Sequence, residues 1–172
     1  MIDTRLEQKI GFDRIRQIIS NRCSTSYAVE RSASETFSTN PGNIRKRLLL
    51  ADEMRLIMMF EDGFPSGGFI DCIDFLKPLE RSSSAIDLVS LRKLRTMLDT
   101  LRKVTNFFEG VKDGVYPNLK RMSAHVMNFP EVQRRIDGII DRYGEVKDTA
   151  SDELYSIRKA LREKAMKTYK TF

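Results

Sequence analysis

The segment from Asp87 to Phe108 constrains the fold most, because it carries the most regular helical pattern in the chain. Core-type side chains recur there three and four residues apart, at Leu91, Leu94, Leu98, Leu101, Thr105 and Phe108. This spacing places them on one face of an α-helix. Asp87 can accept hydrogen bonds from the first helical amides, as an N-cap does. We therefore predict a central core helix that begins after Asp87.

Helical patterns also occur on both sides of this segment, and no strand-length alternation of apolar and polar residues is present. We predict an all-α fold with further helices at 4–10, 12–22, 24–34, 41–61, 71–81, 117–126 and 130–143. Asn40-Pro41 marks one start, and the wide apolar stripe that follows predicts a helix buried against more than one partner. In the 71–81 helix, where Pro78 disturbs the pattern, the side chains expected to point inward are Cys72, Ile73, Phe75, Leu76 and Leu79.

The last quarter of the chain predicts a break between two helices. A helix is expected to run to Tyr143 and to end at Gly144, because Gly adopts the left-handed conformation most easily. A tight turn follows, and Glu145–Asp148 is the one place where extended structure is expected. Ser151 has the character of an N-cap. We place the joint between a core (1–150) and a long final helix (151–172) here, at Gly144, Asp148 and Ser151.

The final helix is basic, and its apolar seam weakens towards its end. The seam passes from Leu154, Ile157 and Leu161 to Ala165 and Tyr169. A helix that loses its core face while it stays regular is typical of an arm or a coiled coil. We expect it to leave the globule and to continue in a longer parent protein. Its candidate nucleic-acid-facing residues are Arg158, Lys159, Arg162, Lys164 and Lys167.

Composition and charge exclude few classes but set the context. The chain has 172 residues, is 41% hydrophobic and 31% charged, and carries a net charge of +6, which permits nucleic-acid contact without requiring it. The predicted core helix adds Arg92, Lys93, Arg95, Arg102 and Lys103 to the basic residues. No apolar run is long enough to span a membrane, no secretory signal is evident, and two cysteines form no disulfide framework. We expect a cytoplasmic protein without membrane partners.

Catalytic and metal sites find little support in the residues. The glycine-rich segment Asp62–Gly68 lacks the Gly-Lys of a phosphate-binding loop, so a flexible connection is favoured. His125 is the single histidine, and Cys23 and Cys72 are placed at apolar helical positions where a thiol behaves as a small hydrophobe. Asp137 and Asp141 share a helix face, but nearby arginines favour a solvated ion-pair surface. We expect no catalytic, cofactor or metal residues in this chain.

Four stretches resemble the N-terminal region of the bacterial MutS type-two family, the MutS paralogue without the mismatch-reading domain. They are Leu6–Asp13, Asp87–Leu98, the pair Tyr116–Leu119 and Phe129–Glu131, and Ile136–Arg158. The last is the most specific: Gly144, Val146, Asp148, Ala150-Ser151, Leu154 and Ile157-Arg158 match a family signature. Asp152 stands where the family often has proline, and Pro78 lies later than the family's Arg-Pro, which leaves the shape of the 71–81 helix open.

The resemblance implies a helical core or lever like MutS domain III, whose final helix leads into a coiled-coil clamp. It also implies that a full-length relative is a dimeric ATPase, using ATP and Mg²⁺, that engages DNA or the ribosome and often carries a nuclease domain. In this chain it implies a non-catalytic lever that joins the ATPase to the clamp. Two alternatives stay open: a stand-alone basic helical module that binds DNA or RNA, and an enzyme that uses His125 or Asp137 and Asp141.

Overall fold

The computed structural model describes residues 4–81 and 84–169, and within them the all-α prediction is confirmed. The helices are α1 (Thr4–Lys9), α2 (Phe12–Ser20), α3 (Ser26–Ala33), α4 (Pro41–Phe60), α5 (Ile73–Leu76), α6 (Leu88–Gly110), α7 (Pro117–Ser123), α8 (Pro130–Ile139) and α9 (Asp152–Tyr169). Short 3₁₀ turns follow α5 at Lys77–Glu80 and precede α9 at Asp148–Ala150.

Helix α6 is the centre of the core, as its periodicity predicts. Asp87 caps it, since its carboxylate accepts from the amide of Ser90 at 3.0 Å. Two buried clusters lie along the helix. In its first half, Leu98 packs with Ile136 of α8 and with Ile140. Near its end, the second cluster joins Phe108 to side chains of α4 and α7. Helix α6 therefore connects α8 to the α4–α7 layer.

Helix α4 is buried along less of its length than its apolar stripe predicts. Its second half reaches two partners, because Ile57 is fully buried between Phe108 of α6 and Leu119 of α7. In the first half, Leu48 is 65% exposed and Leu49 is 45% exposed. A stripe of apolar residues can therefore be present without a neighbouring element to cover all of it, so the wide-burial prediction is wrong for this half.

A buried carboxylate links α4 to α7. Glu53 is 8% exposed and accepts hydrogen bonds from the backbone amides of Asn118 (3.1 Å) and Leu119 (2.8 Å) and from the Asn118 side chain (2.6 Å). These amides belong to the first turn of α7, where backbone donors have no partner within the helix. Glu53 therefore caps a helix that is far away in sequence.

The segment 71–81 departs from the single helix predicted for it. Helix α5 ends after four residues, and Pro78 lies in the 3₁₀ turn that follows, since proline cannot donate the next α-helical hydrogen bond. Ile73, which is predicted to point inward, is 63% exposed. Cys72 precedes α5, and Cys23 lies between α2 and α3, so the placement of both cysteines within helices is also wrong.

Helices α2 and α3 pack against each other, and a polar contact links the start of α3 to the segment before α5. The hydroxyls of Ser20 and Ser32 lie 2.7 Å apart between them. Asp71 accepts from the hydroxyl of Ser26 at 2.6 Å, at the start of α3. Asp71 therefore ties the start of α3 to the segment that precedes α5.

Candidate functional site: the joint before α9

The joint, defined here as residues 140–151, is a short hairpin followed by a 3₁₀ turn. Helix α8 ends at Ile139, four residues before the predicted end at Tyr143. Ile140 is extended and bridges Val146 in antiparallel fashion, which confirms the predicted extended arm. The amide of Lys147 donates to the carbonyl of Ile139 at 2.8 Å. Helix α8 stops early because an extended Ile140 buries its side chain beside Leu98.

Gly144 and Asp141 shape the tip of this hairpin. Gly144 has φ 83°, a left-handed conformation that suits glycine. The carboxylate of Asp141 accepts from the amides of Tyr143 (2.8 Å) and Glu145 (2.9 Å). Backbone donation, chiefly from Glu145, lowers the pKa of Asp141. Asp141 is therefore occupied as a turn-forming residue.

Two arginines of α6 hold the hairpin against the core. Arg92 donates to the carbonyl of Gly144 and, at 2.8 Å, to the carboxylate of Glu145. Arg95 donates to the carbonyl of Asp141 at 2.8 Å and pairs with the carboxylate of Asp137 at 2.7 Å. Because guanidinium groups offer several donors in a fixed plane, each arginine can bind two acceptors at once. The position of the joint is thus set by the core helix.

Two arginines of α9 hold the other side of the joint. Arg158 donates to the carbonyl of Val146 at 3.0 Å and pairs with Asp148 at 2.5 Å. Arg162, one turn later, pairs with the second oxygen of the same carboxylate. Their hydrogen bonds lower the pKa of Asp148. Since the pKa is lowered, this pairing stabilises the joint above the ordinary carboxyl pKa and is lost as pH falls through the lowered value.

The structure places the sequence-predicted residues in two groups. Gly144, Asp148 and Ser151 all lie within the joint, and Arg158 and Arg162 bind to it. Lys159, Lys164 and Lys167 are exposed on α9. Sequence reasoning counted Arg92 and Arg95 only as basic residues of α6 and missed that they bind the joint. The available signal was their spacing: two arginines three residues apart lie on one side of the helix, beside its apolar face, and can contact the same neighbouring segment.

The middle of the apolar seam of α9, at Ile157 and Leu161, is exposed. Ile157 is 51% exposed and Leu161 is 61% exposed, and the helix packs on the 3₁₀ turn of the joint. An exposed seam agrees with a helix that leaves the core. The division of the chain into 1–150 and 151–172 stays a prediction.

Among residues 4–81 and 84–169, no group of three or more His, Cys, Asp or Glu could hold a metal ion. His125 is exposed beyond the end of α7. Asp137 pairs with Arg95, and burial raises the pKa of the Cys72 thiol, which opposes thiolate formation.

In the glycine-rich loop, a Cβ on Gly68 would meet the Thr100 hydroxyl, so this glycine serves close packing against α6. No helix in the described part of the chain is long and apolar enough to cross a membrane.

Ser151 to Ala is expected to loosen the start of α9. The Ser151 hydroxyl accepts from the amide of Leu154 at 3.1 Å, and loss of such an N-cap costs about 1 kcal/mol. We expect the Leu154 amide to exchange with solvent about fivefold faster, as measured by NMR hydrogen exchange. Ser156 to Ala, further along α9, is the control, and equal exchange of Leu154 in wild type and Ser151→Ala would contradict the capping role.

The known proteins that this chain resembles share one name. The chain is 26% identical over 165 residues to Endonuclease MutS2 of Thermomicrobium roseum. This alignment covers 93% of the chain and 20% of the relative. Proteins of the same name from a Geobacillus species and from Listeria welshimeri are also 26% identical, over 92% and 94% of this chain. No protein-family model matches the chain. The resemblance to the MutS type-two family is confirmed, and the chain spans about a fifth of the length of these relatives.

Proposed function

We propose that this chain is a non-catalytic helical core, or lever, of a MutS2-type protein, and that its joint transmits movement between the core and α9. The observation that carries the proposal is the double attachment of the joint. Arg92 and Arg95 bind it from α6, and Arg158 and Arg162 bind it from α9. Both helices thus contact the same short hairpin, so a shift of one is felt by the other.

The geometry of α9 favours a mechanical role. The helix has 18 residues, which at about 1.5 Å per residue extend roughly 27 Å from the joint. A small rotation at the joint is therefore amplified at its far end. The core can impose that rotation because close-packed interiors transmit displacement instead of absorbing it. In this proposal, Gly144, Asp148 and Ser151 are the positions at which the rotation occurs.

The partners are those that the family resemblance implies, and they belong to the proposal. The lever would connect an ATPase, which holds ATP and Mg²⁺, to a coiled-coil clamp within one longer polypeptide that acts as a homodimer. The clamp would close on DNA or on the ribosome. The residues of this chain do not fit a nucleotide site, because the glycine-rich loop 62–68 lacks a lysine and packs Gly68 on α6. In this proposal, the nucleotide binds outside this chain.

Nucleic-acid binding by the chain itself tests the lever role. We expect the isolated chain to bind a ~20-base-pair duplex more weakly than about 1 μM at physiological salt. The slope of log K against the logarithm of the salt concentration should be about −0.9 for each phosphate contacted. Fluorescence anisotropy between ~50 and ~200 mM salt measures both quantities. Affinity tighter than micromolar with a shallow salt slope would contradict a mainly mechanical role.

A stand-alone module that binds DNA or RNA is the second candidate, and the exposed lysines of α9 favour it. It predicts sub-micromolar affinity, a steep salt slope, and loss of binding when Arg158, Lys159 and Arg162 are replaced by glutamate. The lever predicts weak binding in every case. The same titrations therefore separate the two functions, provided that circular dichroism shows equal helicity for all variants.

A further inference from the structure

Arg158 and Arg162 are organised as a two-arginine clamp around a single anion. They lie one turn apart on α9, and each donates to a different oxygen of the Asp148 carboxylate. Arg158 is also held by the carbonyl of Val146 at 3.0 Å, which orients its guanidinium group. Two arginines that converge on adjacent oxygens of one group form an arrangement that suits phosphate as well as carboxylate.

The anion in this clamp is open to exchange. The side chains of Asp148, Arg158 and Arg162 are 39%, 37% and 62% exposed, so a ligand can reach all three. Exposed ion pairs contribute little net stability, because water solvates the separated charges well. Replacement of Asp148 by another anion therefore costs little, whereas a phosphodiester also releases its condensed counterions.

The surroundings of the clamp favour a polyanion over a single small anion. From Arg158 to Lys167, α9 carries five basic residues and one acidic residue, Glu163. The acidic residues that oppose binding, Asp152 and Glu153, lie in the first turn of α9, nearer the joint. A phosphate chain that runs along α9 away from the joint would meet positive charge over several turns. The ligand that suits this surface is thus the backbone of a nucleic acid.

We propose that Arg158 and Arg162 bind a backbone phosphate of a nucleic acid, and that Asp148 occupies this clamp until the phosphate displaces it. This inference goes beyond the lever role and is compatible with it, because a weak contact between α9 and a phosphate is sufficient. Displacement frees Asp148 from α9, while Arg92 and Arg95 continue to hold the hairpin to the core. Binding at α9 therefore loosens the joint, and by thermodynamic reciprocity a loosened joint binds the phosphate more tightly.

Asp148→Asn tests the displacement directly. Removal of the competing charge is expected to tighten binding of the whole chain to a ~20-base-pair DNA duplex about three- to fivefold and to steepen the salt slope. Glu153→Gln is the matched control, since it removes the same charge from an exposed position in the first turn of α9. If both variants tighten binding equally, the effect is one of general electrostatics. That result overturns the proposed displacement of Asp148 from the two arginines, while the lever proposal stands.

Arg158→Gln and Arg162→Gln test the other side of the clamp. Each is expected to weaken duplex binding and to reduce the salt slope by about 1. In the Asp148→Asn background the loss should be larger, because the phosphate then binds without competition. If neither arginine variant changes the salt slope, the phosphate contacts other residues, and the proposed role of the two arginines is overturned.

The protonation of Asp148 gives a second readout of its displacement. Titration followed by the NMR signal of its carboxyl carbon should show the pKa rise towards its ordinary value when saturating duplex is added, because the arginines have left. An RNA duplex should act like DNA, whereas sodium phosphate at matched ionic strength should act only weakly. An unchanged pKa with bound duplex would overturn the clamp. If no variant binds duplex even at low salt, both the two-arginine phosphate site and the nucleic-acid contact of α9 are refuted. The mechanical role of the joint is tested separately, by the position of α9 relative to α6.

Discussion

Replacing Glu53 by Ala is expected to lower the free energy of unfolding by about 2–4 kcal/mol. The carboxylate is 8% exposed and accepts three hydrogen bonds from Asn118 and Leu119 at the start of α7. Its removal leaves buried donors unsatisfied, and each such group costs about 1–3 kcal/mol when water does not replace the partner. Urea unfolding followed by circular dichroism measures the change.

Two variants separate this cap from the general effect of a lost charge. Glu53→Gln keeps one acceptor oxygen for the Asn118 donors but replaces the other by an NH₂ group, which cannot accept from Leu119. It should therefore destabilise the chain, but less than Glu53→Ala, which removes both acceptors. Asp52→Ala removes the neighbouring carboxylate, which is exposed and pairs with Arg55, and should change stability by less than about 0.5 kcal/mol. Equal stability of Glu53→Ala and Asp52→Ala would show that Glu53 does not hold α7.

Gly144→Ala is expected to destabilise the chain by about 1–3 kcal/mol and to displace the joint. The residue has φ 83°, which is strained for alanine. A Cβ there would also lie 2.8 Å from Nε and 3.0 Å from Cδ of Arg92. Arg92 would have to move and would lose its bonds to Gly144 and Glu145. The loss therefore falls on the attachment of the joint to α6.

Gly138→Ala is the matched control for this substitution. Gly138 lies in α8, six residues earlier, and a Cβ there would meet nothing within 4 Å. Alanine should stabilise that helix by about 0.5–1 kcal/mol. Thermal unfolding measures both changes. Spin labels on α6 and α9 report the joint itself: the distance distribution should broaden in Gly144→Ala and stay as in wild type in Gly138→Ala. A stable Gly144→Ala with an unchanged distribution would contradict the coupling of joint and core.

Local patterns predict the elements of this protein well because their causes are local. Asn40-Pro41, Asp87 and Ser151 begin helices in the structure, and their side chains satisfy amides two or three residues away. The periodicity of α6 likewise needs no partner to be recognised, since one continuous face is a property of the helix alone. Gly144 is also predictable from its neighbours as a break, because a left-handed residue favours glycine.

Burial and partner choice follow a different rule, because they depend on what lies opposite. Leu48 and Ile73 have apolar side chains at helical positions, yet no neighbouring element covers them. Helix α8 ends at Ile139 and not at Tyr143, because the burial of Ile140 beside Leu98 favours an extended backbone. Glu53 has no local sign of its capping role, since its donors are 65 and 66 positions away.

The sequence by itself determined the all-α class, most helix starts, the break at Gly144 and the family resemblance. Each of these depends on hydrogen bonds or spacings within a few residues. Only the tertiary structure decided that Arg92 and Arg95 bind the joint from α6, and that Arg158 and Arg162 share Asp148. Charges of one sign look alike along a helix, and their partners are chosen by distances that arise when α6, the hairpin and α9 pack together.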